Sequence, residues 1–111
     1  MPESISDLQK DLKKIRQVVR EMLVRASTVD DRIWLLEVLE IIDRSLTGIA
    51  SDKLTSRNDA IKKLVKDLTD SGNDLKEVQD RAKKLASRLK LAASQIEALM
   101  KLVSAIAPAG S

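Results

Sequence analysis

The chain has 111 residues, 43% of them hydrophobic and 33% charged, with 20 Lys and Arg against 17 Asp and Glu for a net charge of +3. That length suits one domain with a sizeable core, and the charge excess is too small to imply a polyanionic partner by itself. Cys, His, Phe and Tyr are all absent, which removes disulfides, thiolate or imidazole metal sites and most acid–base chemistry. No apolar run approaches the ~18 residues of a membrane span, and no leader pattern opens the chain, so a soluble, cytoplasmic protein is expected.

Ser4 with Asp7, or Ser6 with Gln9, offers a capping box for a first helix. Ile5, Leu8, Leu12, Ile15, Val19, Met22 and Ala26 then recur three and four apart, predicting a helix over 5–25. Ser27 with Asp30 and Thr28 with Asp31 are overlapping capping pairs for a second helix, whose aspartates suit the positive end of the helix dipole. This helix is expected over 29–46, with Gly48 as a left-handed C-terminal cap. It is the most apolar of the set, and residues 27–50 carry five carboxylates against two arginines, opposite in sign to the neighbouring segments.

Residues 48–56 read as a loop with Ile49 and Leu54 turned inwards, and Ser56 with Asp59 caps a third helix over 56–70. Ser71-Gly72-Asn73-Asp74 is a turn signal, and Asp74 with Glu77 opens a last helix over 74–107, closed by Pro108. In that helix Leu75, Val78, Ala82, Leu85, Leu89, Ala92, Ile96, Leu99, Val103 and Ile106 alternate three and four apart, a continuous apolar seam. Residues 108–111 are expected to be a disordered tail.

The expectation is one all-α domain over 1–107, an antiparallel up-down four-helix bundle with a long C-terminal helix. The competing reading is a helical homodimer with one continuous helix over 53–107, because Leu54, Ile61, Leu68, Leu75, Ala82, Leu89, Ile96 and Val103 keep a seven-residue spacing through the turn. Such a helix would be roughly 80 Å long. In the bundle, the last helix at roughly 50 Å would overhang partners of about 30 Å. Leu99, Met100, Leu102, Val103 and Ile106 would then need cover from Ile5, Ile49 and Leu54, or would form an exposed patch of the kind that meets a partner.

Heptad spacing, aliphatic packing residues and stacked capping signals resemble designed helical bundles, whereas the many Ser and Asp and few Glu depart from that pattern. The resemblance is to a class, carries no motif, and implies a scaffold of natural or designed origin.

No constellation reaches the standard of an active site, so catalytic, cofactor and metal residues are assigned as none, with no small-molecule substrate evident. Glu37 and Glu40, three apart, come nearest to a carboxylate metal pair, but bundle metal sites use inward Glu with Glu-x-x-His. Arg81, Lys84 and Arg88 form one stripe that could track phosphates, yet no aromatic stands among them to stack bases, and the plainer reading turns the band onto the acidic second helix or leaves it a solvated face, which disfavours a nucleic-acid partner. Membrane association is disfavoured because Glu97–Ile106 lacks a basic polar face and interfacial aromatics. A non-catalytic helical scaffold or protein-interaction module remains, acting on a protein partner or by self-association. Trp34, with Val38 and Ile41 on the same flank of the second helix, is the candidate contact, set against the plainer reading of a core-edge tryptophan.

Overall fold

The structure, a computed structural model, describes residues 4–72 and 74–106. Among these it has five helices and no strand: α1 (Ile5–Arg25), α2 (Val29–Ala50), α3 (Arg57–Asp70), α4 (Leu75–Arg88) and α5 (Ala93–Ile106). No helix among the described residues is long and apolar enough to cross a membrane. The expected tail at 108–111 lies outside the described residues.

Local chemistry sets the helix starts. Ser4 Oγ accepts from the Asp7 backbone N–H at 3.2 Å while Asp7 Oδ2 accepts from the Ser4 N–H at 3.4 Å, a complete capping box. Thr28 and Ser56 cap α2 and α3 by accepting from the N–H of Asp31 and Asp59. Asp74 Oδ1 accepts from the Lys76 N–H at 2.8 Å at the start of α4. Each bond satisfies a donor that the first turn of a helix would otherwise leave orphaned.

The helix ends depart from expectation in two places. α2 runs four residues past the expected stop, so Gly48 lies inside the helix instead of capping it. Its bare Cα is used for close approach: a Cβ there would stand 2.6 Å from Leu54 Cδ1. The left-handed residue is Asp52, at φ 60°, and the Asp52 and Lys53 N–H groups donate back to Ile49 O and Gly48 O. This is the double bond of a Schellman cap, built without glycine.

The second departure is larger. The single helix expected over 74–107 is two helices, because the chain turns at 89–92. Lys90 adopts φ 53°, its N–H donates to Ser87 O, and the Leu91 N–H donates to Ala86 O. That is a second glycine-free Schellman cap, with Leu91 and Ala86 both buried beside it. Arg25 Nη1 reaches across from α1 to the Leu89 carbonyl at 3.4 Å. On the far side of the turn, Gln95 Oε1 accepts from the Ala92 N–H at 2.9 Å, half of a capping box with no hydroxyl partner.

Burial explains why an unbroken apolar seam breaks here. The body measures 37 × 28 × 26 Å, so a straight helix of about 50 Å would overhang it. Turning at Lys90 brings Leu91, Ala98, Leu99 and Leu102 into the core. Each buried leucine contributes about 1.5–3 kcal/mol, more than the ~1–2 kcal/mol of a left-handed residue. Met100 and Val103 are half-buried against the same core, and Ile5, Ile49 and Leu54 pack there as expected. The continuous helix over 53–107 is ruled out by the same dimensions and by the turns after Asp70 and Arg88.

The core is almost wholly aliphatic. α1 lies against α2 and α5, α2 also against α3, and α4 touches α5 and α3. Leu12, Ile15, Met22, Leu35, Ile42, Leu64 and Leu85 are at most 2% exposed. The radius of gyration, 13.2 Å, matches the ~13 Å of a compact chain of this length. One polar atom sits awkwardly inside: Ser45 Oγ is fully buried and has no hydrogen-bond partner among the described residues.

Candidate interaction surface

The start of α2 gathers most of the side chains singled out from the sequence, in an arrangement that periodicity alone does not reveal. Trp34, Val38 and Ile41 are buried, at 6%, 4% and 3% exposure. The flank expected to meet a partner is therefore part of the core. Trp34 is finished from above by α4: the Arg81 guanidinium lies 5.1 Å from the ring centroid, within cation–π range. The same guanidinium donates to Asp30 O at 3.1 Å and pairs with Asp31 Oδ1 at 3.5 Å.

Asp31 is the hub. It is the one buried carboxylate among the described residues, and it also accepts a 2.7 Å bond from Arg88 Nη1. Two arginines of the proposed phosphate-tracking stripe are thus turned onto a carboxylate of their own chain. Lys84, the third member, is exposed and takes no part in this cluster. The plainer reading of the 81–84–88 stripe, a band facing the acidic second helix, fits Arg81 and Arg88, although nothing in the sequence singled out Asp31, 57 residues from Arg88, as their partner.

With one flank of α2 buried, the opposite flank is left bare. Val29, Ile33 and Leu36 are 71%, 51% and 51% exposed. Their spacing of four and three places them on one stripe. Val24, at the end of α1, is 83% exposed. These positions stand out because nearly every other large aliphatic side chain described is buried or half-buried. Beside the stripe a shallow notch of about 220 Å³ is lined by Asp30, Ile33, Trp34, Glu37 and Arg81. Further along, Leu36, Leu39 and Leu54 line a wider open groove of about 850 Å³ between α2 and the start of α3.

Elsewhere a few charged groups are joined in surface ion pairs. Glu40 accepts from Arg44 at 2.6 Å, which takes it away from Glu37 as a ligand partner. Asp43 pairs with Arg16, and Lys63 with Asp67. Two clefts flank α5, of about 480 and 430 Å³. Their titratable side chains are Asp11, Glu21, Glu97, Lys14, Lys101 and Arg57. Lys101 is 3.6 Å from Asp11, and Glu21 accepts from Gln95. No group of His, Cys, Asp or Glu suited to a metal ion occurs among the described residues.

Comparison with models of protein families, with curated proteins and with solved structures finds no match to this chain.

Proposed function

We propose that this chain is a non-catalytic helical-bundle interaction module that works through the outer face of α2. In this reading the helices form an up-down bundle in which α4 and α5 together take the fourth position, a scaffold of natural or designed origin acting in the cytoplasm. The observation that carries the proposal is the bare Val29–Ile33–Leu36 stripe on a molecule that otherwise buries its aliphatic side chains thoroughly. Contiguous exposed apolar surface costs solubility, and where it persists beside polar flanks it commonly marks an interface. The clefts beside α5 support a non-catalytic reading, since two of their three carboxylates already have partners, Asp11 in Lys101 and Glu21 in the Gln95 amide.

Self-association through this face is a version of the same reading, as a homo-oligomer or adaptor. A nucleic-acid-binding reading through Arg81, Lys84 and Arg88 has less support, because Asp31 holds two of the three. Sedimentation equilibrium over a wide concentration range, combined with titration of amphipathic helical peptides followed by Trp34 emission, tests the proposal. A chain that stays monomeric and binds no such peptide refutes it. A mobility shift on duplex or single-stranded nucleic acid that weakens with added salt would favour the basic-face reading instead.

A further inference from the structure

Resting on the interaction-module reading, we infer that the outer face of α2 takes a basic amphipathic helix of another protein, which lays its apolar residues on Val29, Ile33 and Leu36 and sets a lysine or arginine into the notch between Asp30 and Glu37.

The asymmetry of the stripe's two flanks carries this. At about 100° per residue, Asp30 and Glu37 lie within roughly 20° of each other on one flank, and Arg32 about 160° from Asp30 on the other. Both acids are exposed, and neither carboxylate is engaged by an ion pair or side-chain hydrogen bond among the described residues. The notch they border has Ile33 and Trp34 on its walls. Arg81, the one cation there, is committed to Asp31 and to the Asp30 carbonyl. Arg44, further along the same flank, is held by Glu40. A visiting ammonium or guanidinium therefore meets two carboxylates that no described side chain engages, beside the apolar wall of the notch, surroundings that favour a cation on an aliphatic stem.

The same asymmetry argues against a second copy as the occupant. When two identical helices pack antiparallel about a two-fold axis, like flank meets like flank. Asp30 and Glu37 would then face their own counterparts, and like charges brought together across an interface are penalised. The basic outer faces of α1 and α4 offer no comparable exposed stripe. Away from the α2 face, the exposed large aliphatics among the described residues are Val24 and Ile96 alone. A separate amphipathic helix with apolar residues at i, i+4 and i+7 and cations along one edge satisfies both halves of the surface.

The test uses the intact chain and two synthetic helical peptides of about 18 residues, long enough to cover the stripe. They share one leucine seam, flanked by Lys and Arg in the first and by Glu in the second. Trp34 emission reports occupancy of the notch, and circular dichroism confirms that Glu37→Lys and Ile33→Asp variants stay folded, as substitutions at exposed positions should. The basic peptide is expected to bind saturably, more weakly as salt rises. Each variant should weaken it about tenfold, the scale of one lost charge pair or one lost apolar anchor. Equal binding of both peptides would overturn the inference while leaving the interaction-module reading standing. Self-association that Ile33→Asp abolishes would do the same, with a second copy as the occupant. A monomer that binds neither peptide would overturn both.

Discussion

Replacing Asp31 by Asn should loosen the contact between α4 and the start of α2 and uncover the indole beneath it. Asp31 has a side chain only 10% exposed, between Arg88 at 2.7 Å and Arg81 at 3.5 Å, whose own side chains are 55% and 38% exposed. Fully buried pairs cost about 3–5 kcal/mol to break from one side, and fully exposed pairs are worth below ~1 kcal/mol. Here the acid is buried but both arginines can rehydrate, which puts the loss near 2 kcal/mol. About 0.5 kcal/mol of that belongs to a negative charge in the first turn of any helix. Asp30, the neighbouring residue in that turn, is exposed and its carboxylate has no ion pair among the described residues, so Asp30→Asn isolates this smaller contribution.

The difference between the two variants, about 1.5 kcal/mol, corresponds to roughly 6 °C in Tm for a chain of this length. Thermal unfolding followed by circular dichroism measures it. Tryptophan emission supplies an independent readout, because freeing Arg81 takes the cation off the Trp34 ring and lets water reach it, shifting emission to the red. If Asp31→Asn lowers Tm no more than Asp30→Asn does, and emission stays put, the hub is a surface ornament and the reasoning about it fails.

Three further substitutions test the packing. Lys90→Gly should stabilise the fold by about 0.5–1 kcal/mol, because glycine takes the φ of 53° without the strain of a side chain and loses part of that gain to a freer unfolded chain; denaturant titration checks the sign. Ser45→Ala should stabilise by about 1 kcal/mol in the same assay, since it removes a buried hydroxyl that has no partner among the described residues. Gly48→Ala should destabilise by about 1 kcal/mol despite alanine's better helix propensity, because the new methyl lands 2.6 Å from Leu54 Cδ1. Repeating it in a Leu54→Ala background should reverse the sign, and a loss that persists there would clear Leu54 of the effect.

What could be read from the sequence divides by the range of the interaction responsible. The starts of α1, α2 and α3 were legible because Ser4, Thr28 and Ser56 each act on a backbone group three residues away. The cap after α3 was legible because Gly72 takes φ 88°, a conformation the residue type advertises. Asp52 and Lys90 take the same conformation without advertising it, so the end of α2 and the break between α4 and α5 were missed. Nothing within a few residues of Lys90 demands a turn there; the demand comes from Leu99 and Leu102, which can be buried only if the chain doubles back.

The exposed apolar stripe of α2 was hidden for a related reason. A helix apolar around most of its circumference, as α2 is, has more seam than one core can use, and periodicity cannot say which side is surplus. The choice is made by α1 and α3, which pack on the buried side of α2, while Arg81, 47 residues beyond Trp34, covers the indole at its edge. Val29, Ile33 and Leu36 are surplus because α1 and α3 take the other side. The structure thus ties the Asp31 hub to the cover over Trp34 and, through Arg81, to the notch beside Ile33.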